Sequence, residues 1–153
     1  MCEYCGCQAL AAISELTREH DLVGSLMSEA RSAHAGADTG RLAELARQIA
    51  TVLGPHTEVE EGGLFPALAG DFPDQVAALE AEHRHIEAVL SEASAGIPGD
   101  PSWPGRLIGM LAMLREHILK EQDGVFPAAL AGLSPADWEA VEAVRARVGA
   151  LRP

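Results

Sequence analysis

Aromatic residues make up only 4% of this 153-residue chain, and basic residues are outnumbered 23 to 11 by acidic ones. No run of about 18 apolar residues occurs, so a helical membrane span is not expected. The N-terminus lacks the basic and apolar regions of a secretory signal, and the expectation is a soluble cytoplasmic protein. A formal charge of −12 repels phosphate backbones and anionic lipid surfaces, which argues against nucleic acid and membranes as partners. Cysteine is confined to Cys2, Cys5 and Cys7 in MCEYCGC, so no disulfide framework spans the chain. A single domain of this length can bury enough surface to need none. Strand patterns are also missing: alanine and leucine abound and apolar positions recur at three and four rather than at two, which predicts an all-α protein.

What the chain does contain is a duplication. HTEVEEGGLFP from His56 and HILKEQDGVFP from His117 share the pattern H-x-x-x-E-x-x-G, an aliphatic residue, Phe and Pro. Upstream, LTREHDLVGSLMSEA around His20 aligns with LEAEHRHIEAVLSEA around His83. Four apolar stripes follow at helical spacing, and each carries polar residues where leucine is expected. They are Ile13, Leu16, His20, Val23, Met27; Ile49, Leu53, His56, Glu60, Leu64; Val76, Leu79, His83, Ile86, Leu90; and Met110, Met113, His117, Glu121, Val125. The midpoints between successive histidines fall in HAGADTG, ALAGDFPD and GIPGDPSWPG, all rich in helix breakers. If the chain reverses at each, the four histidines return to one height in an up-down-up-down antiparallel four-helix bundle. The G-x-F-P copies read as helix ends and turns, with Phe65 and Phe126 as core plugs.

Residues four apart share a helical face, so His56 with Glu60 and His117 with Glu121 can each reach into one site. Buried glutamates beside histidines need ions or dense hydrogen bonding. A mixed nitrogen and oxygen set suits iron, manganese or zinc, with carboxylates able to bridge two cations. Ferritin-like bundles would require Glu-x-x-His on two helices, and only Glu80 with His83 has that form.

The order H, H-x-x-x-E, H, H-x-x-x-E with the EEGGLFP and EQDGVFP tails resembles the hemerythrin-like (HHE cation-binding) family over about residues 10–130. The resemblance implies two iron ions in a non-haem, carboxylate-bridged centre, oxo- or hydroxo-bridged, with manganese or zinc as second choices. His20, His56, His83 and His117 would be terminal ligands, and Glu60 and Glu121 bridges. Oxygen-carrying members have H-x-x-x-H on the third helix and H-x-x-x-x-D on the fourth; here position 87 is Glu and the fourth helix supplies Glu121. Glu87, four residues after His83, is either an added oxygen ligand or a partly solvated neighbour.

The implied function is binding or reduction of a small oxidant, dioxygen or hydrogen peroxide, with peroxide-consuming activity left open and an electron donor as a further partner. Two other readings stand beside it. One is an iron donor or nitric-oxide-responsive protein similar to the repair-of-iron-centres proteins; the other is a gas or redox sensor without turnover. Residues 1–9 form a cysteine-containing segment that delivers electrons, folds over the bundle end with Tyr4, or does neither. Residues 131–153 hold a short fifth helix starting at Ser134 and Pro135, with Trp138, Val141, Val144 and Val148 on its apolar face. Arg145 stands there at the position matching His83, so this helix packs as a lid. His34 belongs at a helix C-terminus and His85 faces away from the site.

Overall fold

A computed structural model describes residues 6–149. The helices in order are α1 (Cys7–Ala35), α2 (Thr39–Val59), α3 (Phe65–Leu68), α4 (Pro73–Ser91), α5 (Trp103–Lys120), α6 (Phe126–Gly132) and α7 (Pro135–Val148), and no strand occurs among the described residues. Reversals at residues 36–38, 69–72 and 92–102 coincide with the three Gly, Pro and Asp clusters. α1 packs on α2 and α5, and α4 packs on the same two, which closes the four-helix bundle. Helix α1 starts at Cys7, exposed, one residue after Gly6 at φ 70. Cys2, Cys5 and Tyr4 lie outside the described residues.

The apolar core is split in two by a polar layer. One half holds Val23, Leu53, Ile86 and Leu114 with the fully buried Trp103, whose indole N–H donates to the Val89 carbonyl at 3.0 Å. The other holds Leu16, Val59, Leu79 and Phe126 with Phe65, Leu64 and Trp138. In each long helix the histidine falls between a residue of one half and a residue of the other. His20 lies between Leu16 and Val23, His56 between Leu53 and Val59, and His83 between Leu79 and Ile86. His117 follows Leu114 in the same way, so all four histidines lie at one level of the bundle.

The G-x-F-P copies do not end their helices, contrary to the sequence reading. Each continues through a π-helical turn, Glu60–Leu64 after α2 and Glu121–Val125 after α5, and then resumes as α3 and α6. Proline explains this. Pro66 and Pro127 have no N–H to give the carbonyl four residues back, and their rings crowd it. The helix widens by one residue instead: the Phe65 N–H donates to Glu60 O and the Phe126 N–H to Glu121 O. Each widened turn thus begins at the buried glutamate, a common position for a π turn near a functional site.

α7 is held at its start by a capping box in which Ser134 accepts from the Asp137 N–H while Asp137 accepts from the Ser134 N–H. It lies across the first π turn. A Cβ on Gly63 would stand 2.9 Å from the Val141 Cα, and one on Gly62 would stand 3.5 Å from the Val144 methyls. Gly124, which matches Gly63 in the second copy, has nothing within 4 Å. Gly63→Ala is therefore expected to destabilise the fold by about 1–3 kcal/mol, because backbone rather than a flexible side chain must yield. Gly124→Ala should be neutral or stabilising by up to about 1 kcal/mol through reduced helix entropy cost. Urea unfolding of the two variants checks the contrast; equal losses would show that α7 does not depend on this close approach.

Candidate metal centre

The polar layer brings together six of the residues that the sequence singles out. His20, His56, His83, His117, Glu60 and Glu121 are all buried, the two glutamates completely. Each glutamate faces both copies of the repeat. Glu60 places Oε2 3.3 Å from His56 Nε2 and Oε1 3.1 Å from His83 Nε2. Glu121 places Oε2 3.3 Å from His117 Nε2 and Oε1 3.0 Å from His20 Nε2. Two sets of ligand atoms result, each lying within 4.8 Å of one another: His20, His56, Glu60 and Glu121, then His83, His117, Glu60 and Glu121. One oxygen of each carboxylate is directed to each set.

The outward hydrogen bonds of the imidazoles leave this layer short of donors. Every Nδ1 is turned outward onto an oxygen. His20 donates to Gln122 Oε1 at 3.0 Å, His56 to Glu19 Oε1 at 2.9 Å, His83 to Glu61 Oε2 at 2.6 Å, and His117 to Glu82 Oε1 at 2.8 Å. A neutral ring that donates from Nδ1 offers only a lone pair at Nε2. His20 Nε2 is hydrogen-bonded to Glu121 Oε1 at 3.0 Å; the other three Nε2 atoms face carboxylate oxygens without such a bond, and both Glu60 oxygens and Glu121 Oε2 have no hydrogen-bond partner. Buried charge in that state is costly unless protons or metal ions are inserted. The donor set fits a hard or borderline divalent or trivalent cation, and each set offers two nitrogens and two oxygens.

Four residues of this arrangement escaped the sequence reading: Glu19, Glu61, Glu82 and Gln122. A residue next to a ligand in sequence points about 100° around the helix, which normally means solvent. Here it points along a seam between helices. Glu19, preceding His20, fixes His56, and its duplicate Glu82, preceding His83, fixes His117. Glu61, following Glu60, reaches His83 of the other copy, as Gln122, following Glu121, reaches His20. The repeated E-H dipeptide at 19–20 and 82–83 was the available signal. Arg145, placed by the sequence on the lid, reaches inward to donate to both oxygens of Glu19 at 2.8 and 2.9 Å and lies 3.3 Å from Glu15. Phe65 stacks on His83 at 5.7 Å and Phe126 on His20 at 5.5 Å, so these core plugs also hold the rings.

Glu87 does not join either set. Its side chain is 54% exposed and pairs with Arg84 at 3.3 Å on the rim of a cleft. The cleft, about 840 Å³, lies between α2 and α4 and reaches all four histidines, with Leu53, Gly54, Ile86 and Leu90 in its wall. His85 is exposed and faces away from the site, and His34 lies in the last turn of α1, both as expected.

In the metal-free protein the layer holds itself together with protons. Burial disfavours charged His56, yet the Glu60 charge and hydrogen bonds with Glu121 and Glu19 raise its pKa well above the ordinary 6.5. His83 and His117 are raised in the same way, against burial, by Glu60 and Glu61 for one and Glu121 and Glu82 for the other. Burial would raise Glu121, but hydrogen bonds to His117, His20 and His56 hold it well below 4.5.

A family model, the hemerythrin HHE cation binding domain, matches residues 9–129. No curated protein and no solved structure matches the chain.

These shifts imply a pH window for the metal-free fold. Histidines with raised folded values stabilise fully below pH 6.5 and lose that contribution as pH rises through those values. Glu121, with a lowered folded value, stabilises above pH 4.5 and loses its contribution as pH falls. Denaturant midpoints of the apoprotein should therefore be highest between these limits and fall toward alkaline pH. Metal-loaded protein should show the opposite alkaline trend, since metal competes with protons for the same nitrogens. An apoprotein midpoint unchanged up to about pH 9 would contradict the assignment of protonated histidines in the layer.

Proposed function

The chain belongs to the hemerythrin HHE cation-binding domain family, and on that premise we propose that it is a non-haem di-iron protein that binds or reduces dioxygen or hydrogen peroxide. The observation that carries this reading is the pair of buried carboxylates, each with one oxygen toward each histidine pair and three of its oxygens lacking any hydrogen-bond donor. In this reading His20 and His56 would hold one ion and His83 and His117 the other, with Glu60 and Glu121 shared between the two. With four protein atoms per ion, positions remain for a small ligand, and the ions when bound supply Lewis acidity and a redox couple there.

The protein's own part is positioning. The Nδ1 acceptors keep each ring in the tautomer that offers Nε2, and the carboxylates keep the two positions at a fixed separation. Phe65 and Phe126, both buried, close the layer on the side of α3 and α6 and exclude water there. The cleft between α2 and α4 gives a small oxidant access from the other side. That same opening favours a second reading, iron donation, because an ion could leave by the route through which an oxidant enters.

Elemental analysis after anaerobic iron loading should find about two irons per chain, four ligand atoms being present for each; one or none would sink the two-metal reading. Glu60→Ala should lose at least one ion and most peroxide consumption, whereas Glu87→Ala should retain both ions. Peroxide consumption that tracks iron content across partly loaded samples supports turnover. Iron that passes to an apo iron–sulfur protein faster than peroxide is consumed would favour donation.

A further inference from the structure

Among the six inner residues and the four Nδ1 acceptors, the duplicated copies match except at one acceptor. Glu19 corresponds to Glu82, His56 to His117, and Glu60 to Glu121, but Glu61 corresponds to Gln122. His83 Nδ1 therefore donates to a carboxylate at 2.6 Å, while its counterpart His20 donates to a neutral amide oxygen at 3.0 Å. The residue after each of these histidines differs as well, Arg84 in one copy and Asp21 in the other. A carboxylate on Nδ1 draws the ring proton and makes Nε2 a stronger ligand, and replacing such an outer partner changes metal affinity by about 10–100-fold.

The counter-charges act in the same direction. Glu61 and Glu82 are paired with Arg84 and Lys120, whose side chains are 57% and 50% exposed, so solvent screens those cations. Glu19 is instead clamped through both oxygens by Arg145, which is only 12% exposed. A buried bidentate guanidinium withdraws more of the carboxylate's charge than a solvated one. The pair His20 and His56 is thus backed by an amide and a neutralised carboxylate; the pair His83 and His117 is backed by two carboxylates whose cations face water.

Resting on the two-metal reading, we propose that the two positions are unequal: the one between His83 and His117 binds its ion first and more tightly, and the one between His20 and His56 is the exchangeable position. Gln122 and Arg145 are the positioning residues that set the difference. The weak position would fill last, empty first, and govern when the centre is complete.

The test uses zinc, a redox-inert divalent ion, on the full chain. Metal-free protein is given one equivalent of Zn²⁺, and the occupancy of each position is read by anomalous diffraction at the zinc edge. The expected result is about tenfold or greater preference for His83 and His117. Equal occupancy, or preference for His20 and His56, would overturn the proposal. The charge-conserving double variant Glu61→Gln with Gln122→Glu exchanges the two acceptors, and it should abolish or reverse the preference. An unchanged preference in a folded double variant would show that the acceptors do not set it and would also overturn the proposal. Excess zinc separates the two levels of the argument: two ions at saturation with no preference at one equivalent sinks only the inequality, whereas one ion at saturation sinks the two-metal reading beneath it.

Discussion

Two buried carboxylates facing four imidazole Nε2 atoms are the constraint around which this bundle is arranged. Glu60 and Glu121 are fully buried and short of hydrogen-bond donors: each of the four rings hydrogen-bonds outward through Nδ1, and His20 alone is also bonded to Glu121 through Nε2. An uncompensated arrangement of this kind would cost several kcal/mol for each ion removed from water. Protons satisfy it in the apoprotein, and metal ions would satisfy it without inverting the tautomers. The two apolar half-cores on either side of the layer supply the burial that holds the six side chains at one level.

The local irregularities of the helices serve that layer. A regular α-helix through Glu60 would meet Pro66 with a missing donor and a ring clash. The π turn absorbs both and begins at the carboxylate itself, once in each copy. The turn also has consequences for the two copies that differ. The first receives α7 against Gly62 and Gly63, and α7 brings Arg145 to Glu19; the second has open space at Gly124. A duplicated sequence thereby yields a site that is two-fold in its inner atoms and unequal in its surroundings.

Outer partners account for much of the order at the centre. Each histidine is held by a ring-nitrogen hydrogen bond, and three of the four acceptors are carboxylates carrying their own cation: Glu19 with Arg145, Glu61 with Arg84, and Glu82 with Lys120. Such chains from cation to carboxylate to imidazole fix ring orientation and raise ligand basicity. The same chains offset part of an acidic excess that would otherwise concentrate around the layer.

The sequence by itself determined the helical class, the three reversals, the level of the four histidines and the six inner residues. These follow from periodicity and from a repeat that carries its polar residues on otherwise apolar faces. His20 lies between Leu16 and Val23 in sequence and in the structure for the same reason, the 3.6-residue period. Tertiary structure alone decided which neighbours of the ligands turn inward. Glu87 shares a face with His83 by spacing yet pairs with Arg84 at the surface, whereas Glu19 and Glu61, adjacent in sequence to inner residues, reach across to another helix. Spacing along one helix fixes direction around its axis, but whether that direction meets solvent or a neighbouring helix depends on how the helices pack. The π turns were hidden for a related reason: a Gly-x-Phe-Pro run reads locally as an end, and only packing on both sides keeps the chain helical through it.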